Sequence, residues 1–226
     1  MRQTPRPGKK QAEVARLEIL IIRPPCTIPL NPTMKKLFAL AATLGLLLTA
    51  RADVETYKID PVHSSTGFSL RHILSKFTSS FTKTSGTIMV DRDNLEKSSV
   101  EATVEVASVS TANEKRDGHI LSPDFLDGAK FPTATFKSTA WKKTGDNTFD
   151  VAGKLTIKDV TKDVVLHVTS NGFAPGMKPG TTISGWEATT VIKKSEFGVS
   201  GPAMLAKALG DEVTLSISIE AGYTKA

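Results

Sequence analysis

Val213-Thr214-Leu215-Ser216-Ile217-Ser218-Ile219-Glu220 alternates apolar and polar side chains without a break. In an extended chain successive side chains point to opposite faces, so this octet has a dry face of Val213, Leu215, Ile217 and Ile219 and a wet face between them. The same period of two recurs upstream. Val100, Ala102, Val104 and Val106 stand against Glu101, Thr103 and Glu105, and Val151, Gly153, Leu155 and Ile157 stand against Ala152, Lys154 and Thr156. Such segments fall near 56–60, 66–72, 81–90, 99–108, 133–141, 148–158, 163–171, 181–192 and 212–222, eight or nine in all. Turn formers separate them at Asp91 to Asn94, Gly145 to Asn147, Asp159 to Thr161 and Asn171 to Gly180. The pattern predicts a mainly all-β chain, an antiparallel up-and-down eight-stranded barrel, because closure removes edges that would pair with other chains. A two-sheet sandwich is the structural alternative.

Helix is scarce. Thr111 and Glu114 have the spacing of a capping box, which predicts a helix from about Ala112 to Leu121. Ser122-Pro123 then restarts a turn of helix carrying Phe125 and Leu126. A second short helix is expected over Ala203 to Leu209, stopped by Gly210. The stretch from Lys115 to Asp127 concentrates charge, histidine and aromatic residues, and reads as a lid over one end of the barrel.

The beginning of the chain has a different character. From Met34, Lys35-Lys36 precede an uncharged run from Leu37 to Ala50 and then Ala50-Arg51-Ala52. A basic head, an apolar run and a small-x-small site describe a secretory signal peptide over 34–52. The run is too short for the roughly 20 residues of a membrane-spanning helix. Residues 1–33 read as an upstream extension of the reading frame or a disordered tail, and 53–226 as one barrel domain. Removing the leader cancels the charge: nine of the 29 Lys and Arg but only two of the 23 Asp and Glu precede Asp53, leaving 20 against 21. A near-neutral domain gives no electrostatic reason to expect nucleic acid as a partner. The single cysteine, Cys26, leaves too, so the domain has no disulfide or thiolate chemistry and must be held by its core.

An eight-stranded barrel either fills with its own side chains or holds one slender ligand. Ala102, Ala134, Ser138, Ala140, Gly153 and Ala188 fall on the apolar face, where only Phe68, Phe136 and Trp186 are aromatic, and this favours a cavity. The expected lining is Phe68, Leu70, Val104, Phe136, Leu155, Trp186 and Ile217, with Phe125 and Leu126 closing one mouth. His72 shares a phase with Thr66, Phe68 and Leu70, and reads either as a donor to a ligand's polar head or as a satisfied rim residue. His63, His72, His119 and His167 lack metal-ligand spacing, so no metal site is expected. His167 falls on the wet phase. Asp60 and His63 beside Ser64 or Ser65 lack a glycine-flanked nucleophile elbow and read as turn residues, so no catalytic residue is expected. Arg116, Asp117 and His119 read as ties from lid to rim or as parts of a ligand gate.

Several motifs occur in the order seen in one family. They are Tyr57-Lys58-Ile59-Asp60-Pro61-Val62-His63-Ser64, Phe68-Ser69-Leu70-Arg71-His72, Lys115-Arg116-Asp117-Gly118-His119-Ile120 and Asp124-Phe125-Leu126-Asp127, then Gly153-Lys154-Leu155-Thr156-Ile157 and Ser195-Glu196-Phe197-Gly198-Val199. Over residues 55 to 222 the chain resembles the YceI-like proteins. The resemblance implies a lipocalin-like barrel exported to the periplasm, with no established enzymatic activity; no cofactor is expected. Its ligand would be a polyisoprenoid or an isoprenoid quinone. Lys194 departs from the family's arginine, and lysine cannot make arginine's planar two-pronged contact. The resulting expectation is a periplasmic protein that binds, carries or sequesters such an amphiphile. Transient contact with a membrane or membrane redox proteins, and a homodimer, suit that role. The rival classes are an interaction or stress protein with a filled barrel and an enzyme acting on an isoprenoid lipid.

Overall fold

Among the described residues eleven strands join in one antiparallel sheet that closes on itself. They are β1 (Val54–Ile59), β2 (Ser65–His72), β3 (Ser75–Phe81), β4 (Thr84–Asp91), β5 (Ser99–Glu105), β6 (Val109–Ser110), β7 (Thr133–Lys143), β8 (Thr148–Ile157), β9 (Val160–Pro175), β10 (Thr181–Lys193) and β11 (Leu209–Thr224). The computed structural model describes residues 53–225, within a unit, Arg51–Ala226, whose sheet is completed by its own strands. The expected leader over 34–52 and the stretch 1–33 lie outside the described residues.

Six of the eleven strands are halves of three long ones. β1 and β2 run in the same direction along one edge of β11, β1 at Ala221 and Gly222 and β2 between Ser218 and Leu209. β4 and β3 pair with them in turn, and β5 and β6 follow. Counted this way, eight strands succeed one another in chain order, and the β1–β11 pairing shuts the barrel. The up-and-down barrel therefore forms and the sandwich does not. The segment read as one strand over 81–90 is β4, while the β3 arm over Ser75–Phe81 escaped the sequence reading because its Ser-Lys-Phe-Thr-Ser-Ser-Phe is mostly polar.

The interruptions have local causes. Between β1 and β2 the chain bulges out at Pro61, which has no amide to donate. Ser64 then restores the ladder, donating its hydroxyl to Glu220 O and accepting from Glu220 N, both at 3.1 Å. Between β3 and β4, Thr82 N donates to Ser108 O and Lys83 N to Ser108 Oγ, each at 3.1 Å.

Two bulges change which side chains face inward. Ser138 pairs with Gly153 but Ala140 pairs with Ala152, so Thr139 is extra and the phase of β7 flips. Ala140 is thereby exposed and Trp141 buried, which corrects the expectation that Ala140 faces the interior. In β9, Gly172 pairs with Gly185 and Ser170 with Trp186, which makes Asn171 extra and turns Phe173 toward the core. Asn171 is thus a bulge inside a strand that runs to Pro175, not the start of a turn.

The flipped residues complete an aromatic plug. Trp141 meets Trp186 edge to face at 5.7 Å and Phe149 at 5.9 Å, Phe173 meets Trp186 at 5.9 Å and Tyr57 at 5.8 Å, and Tyr57 meets Tyr223 at 5.4 Å. Such pairs add about 0.5–1.5 kcal/mol each beyond the area they bury. Burial, and then the Glu55 carboxylate that accepts the Tyr57 hydroxyl, push that phenol above its ordinary pKa. The expectation of only three inward aromatics is too low: Trp141 and Phe173 lie beyond bulges that continuous alternation cannot see, and Tyr57 and Phe149 point inward without one. Gly153 is also no void: a Cβ there would lie 2.4 Å from the Phe136 ring, which occupies the space.

Helix α1 spans Glu114–Leu121. Its cap is Asn113, whose side chain accepts from Arg116 N at 3.0 Å, rather than Thr111. Thr111 instead binds the Asp117 carboxylate through both its amide and its hydroxyl. The residues after Ser122 form turns rather than a renewed helix, and the expected helix over Ala203 to Leu209 shrinks to one 3-10 turn, Ala203–Leu205, with Leu209 already in β11.

Candidate functional site

Among the described residues two chambers of the interior share a ring of side chains. The inner chamber has a volume of about 150 Å³. Its wall includes Val100, Ala102, Phe136, Leu155, Leu166, Ala188 and Ile217, and its floor is Trp141 and Trp186 of the plug. The outer chamber, about 500 Å³, lies between the ends of β2, β3, β10 and β11 and the α1 lid. Phe81, Val104, Ala134, Ile157 and Leu215 border both and form the waist between them.

The expected lining residues divide between the two chambers. Phe68, Leu70, His72, Phe125 and Leu126 border the outer chamber, Phe136, Leu155, Trp186 and Ile217 the inner one, and Val104 the waist. Alternation in β2, β5, β7, β8, β10 and β11 brings together all but Phe125 and Leu126, which lie in the turns after α1. Sequence reasoning missed Phe77 and Phe81 on the polar β3 arm, and Phe197 and Val199 at the end of the 3-10 turn Lys194–Phe197, all four of which border the outer chamber or the waist. Phe68 packs on Phe81 at 5.4 Å and on Phe77 at 6.1 Å.

The inner chamber is almost free of polarity. Three threonines reach it, and two of these, Thr66 and Thr84, bond each other at 3.0 Å. A pair of mutually satisfied hydroxyls costs little when dry. The outer chamber is different: among the described residues, the ionisable ones on its border are His72, Lys76, Arg116, His119 and Lys194, with no carboxylate among them. Arg116 is held by Thr111, its Nε donating to the hydroxyl at 2.9 Å and its Nη2 to the carbonyl at 2.7 Å. Its guanidinium lies 4.9 Å over the Phe77 ring. Lys194 donates to Ser200 O at 3.2 Å and lies 3.9 Å from Asp211. His119 meets Phe125 edge-on at 5.0 Å and is 3.5 Å from Asp124, which ties the lid helix to the following turn.

The remaining histidines lie outside the chambers. His167 is exposed and contacts Asp150 at 2.7 Å. His63 Nδ1 lies 3.0 Å from Asp60 and 3.8 Å from Glu220 on the outer surface of the barrel. The neighbouring Ser64 hydroxyl is engaged on both sides by the Glu220 backbone, so it is not poised as a nucleophile. The hydrogen bond to Asp60 raises the His63 pKa above its ordinary value, and the same bond lowers that of Asp60. The histidine contribution is complete below its unfolded pKa and is lost as pH rises through the raised one. The aspartate contribution is complete above its unfolded pKa and is lost as pH falls through the lowered one. The pair is therefore intact across the mildly acidic range between the two unfolded values. Proton-detected titration of the four histidines should find His63 deprotonating at a higher pH than it does in His63 with Asp60→Asn.

Comparison with known proteins places these features in a family. The model of the YceI-like domain matches residues 57–221. A "UPF0312 protein" of Pseudomonas syringae pv. tomato is 37% identical over 184 residues, covering 80% of this chain and 95% of that protein. The solved YCEI protein of Campylobacter jejuni is 31% identical, with a TM-score of 0.60 over 68% of this chain and 88% of that one. A solved polyisoprenoid binding domain from Saccharophagus degradans shares the fold at 14% identity, with a TM-score of 0.56 over 75% of this chain and 98% of that domain.

Proposed function

Because this chain belongs to the YceI-like domain family, we propose that it binds, carries or sequesters a polyisoprenoid or an isoprenoid-quinone-like amphiphile inside the barrel. The observation that carries this reading is the graded interior. A dry inner chamber meets, at the waist they share, a larger chamber whose charged border is basic throughout among the described residues. A long hydrocarbon tail with one polar end matches that gradient. Burying one five-carbon isoprene unit stabilises by about 3–4 kcal/mol before the costs of association. The tail would contact Phe136, Leu155, Trp186 and Ile217, pass Val104, and leave the head among Phe68, Leu70, His72, Arg116 and Lys194. Phe125 and Leu126 would cover it.

This is a binding function rather than an enzymatic one, and it requires no cofactor or metal. The apparent leader over 34–52 supports export to the periplasm, with the mature chain beginning near Asp53. The name of the Saccharophagus degradans domain supports the ligand class. Freshly purified protein extracted with organic solvent should yield an isoprenoid lipid or quinone by mass spectrometry, close to one per barrel. An empty extract together with no uptake of a quinone analogue would contradict the proposal and favour a protein that acts through its surface.

A further inference from the structure

The hairpin that overhangs the outer chamber ends in residues that folding does not explain. His72 pairs with Ser75, which leaves Ile73-Leu74 as a two-residue turn. Tight turns of this kind favour glycine, asparagine or aspartate, because the first central residue takes a positive φ. Ile73 has φ +51, a conformation that is a genuine outlier for a β-branched residue. Neither turn residue is compensated by burial: Ile73 is 54% exposed and Leu74 94%. Strain and exposed hydrocarbon at one site point to a role outside the fold.

A second segment joins this tip. Ile73 N donates to Ala208 O at 2.7 Å, which fixes the hairpin to the loop that carries Met204, itself 86% exposed. The next residues of the same two segments, His72, Ser75, Lys76, Leu205 and Leu209, border the outer chamber. The apolar tip is therefore part of the rim of the mouth. Its charge is one-sided as well. From Pro61 to Val90, and again from Phe197 to Gly210, the chain contains no aspartate or glutamate, while Arg71, Lys76 and Lys207 are exposed.

We propose that this rim docks on an anionic lipid bilayer, with Ile73, Leu74 and Met204 inserted below the headgroups and Arg71, Lys76 and Lys207 at their level. Apolar side chains framed by cations are the chemistry of an interfacial anchor. A protein partner suits the tip poorly: three side chains on a convex turn fall well short of the roughly 800 Å² per partner of a specific interface. Docking would set the chamber mouth against the membrane, where an amphiphile could pass without crossing water. The inference goes beyond the carrier reading and can fail without it.

The test uses residues 53–226, which complete their own sheet, co-sedimented with phosphatidylcholine vesicles with or without phosphatidylglycerol. The parent should bind the anionic vesicles. Changing Ile73→Gly together with Leu74→Ser installs residues that the turn prefers, so the melting temperature should hold or rise while vesicle affinity falls at least about ten-fold. Lys207→Glu should weaken binding to the anionic vesicles alone. A second readout does not depend on that pair of changes. The domain has no cysteine of its own, so an environment-sensitive dye on Leu74→Cys should shift to the blue on anionic vesicles, and the same dye on Val191→Cys should not. A parent that ignores these vesicles, a double variant that binds them undiminished, an unshifted dye at 74, or a dimer that dissolves in the double variant would overturn the docking. Isoprenoid recovered by extraction in any of those cases leaves the carrier reading standing.

Discussion

Replacing Ala134 by tryptophan is expected to cut affinity for a long isoprenoid by roughly a hundred-fold or more while the barrel stays folded. Ala134 is the smallest side chain of the waist, facing Val104 across the β5–β7 pairing and bordering both chambers. An indole there would close the passage. A tail confined to the outer chamber loses the burial of at least one isoprene unit, about 3 kcal/mol, which corresponds to about two decades in Kd. Overpacking in a filled core would cost about 1–3 kcal/mol of stability, but here the added ring has a cavity to enter. Isothermal titration with a short and a long prenyl ligand separates the effects. The long ligand should lose affinity and the short one should retain it. Equal losses would mean that the waist is not the route of the tail.

Gly86→Ala should be among the most destabilising single substitutions in the domain, costing about 3–5 kcal/mol. Gly86 sits in β4 opposite Ala102 with φ +142, a conformation that side chains rarely adopt. A Cβ would lie 2.1 Å from Glu101 O and 2.8 Å from Ala102 Cα. Both obstacles are backbone, so relief requires β4 and β5 to separate. Since the sheet closes through successive pairs, a gap there opens the barrel. Urea unfolding should show the loss in the midpoint, and unchanged stability would mean that the two strands part more easily than this packing implies.

How far the sequence reveals this architecture depends on where alternation is continuous. Val213 to Glu220 could be read directly because β11 pairs along that length without a bulge, and its inward residues lie where period two puts them. Ala140 was assigned to the wrong face and Trp141 and Phe173 went unnoticed for a common reason. A single extra residue, Thr139 or Asn171, reverses the phase; Thr139 carries no glycine or proline signal, and Asn171 with Gly172 behind it reads as the start of a turn rather than as a bulge. The missed β3 arm shows another limit. It lies at the overhanging mouth, where only one side of the hairpin needs to be dry, so Phe77 and Phe81 are the only apolar residues of the arm that mark the chamber wall, beside Ser75 and Lys76. Thr111 was read as a cap from its spacing to Glu114, but the Asp117 carboxylate offered it a charged acceptor, and Asn113 took the cap instead.

The central claim, that a lipid tail enters the inner chamber, can be tested with the chain's own two tryptophans. Trp141 and Trp186 both form the floor of that chamber, and the sequence contains no others. Titration with an isoprenoid brominated at the far end of its tail should quench their emission saturably at one ligand per barrel, because heavy-atom quenching needs contact. Full tryptophan emission at saturating ligand would show that the tail never reaches the floor and would contradict the account.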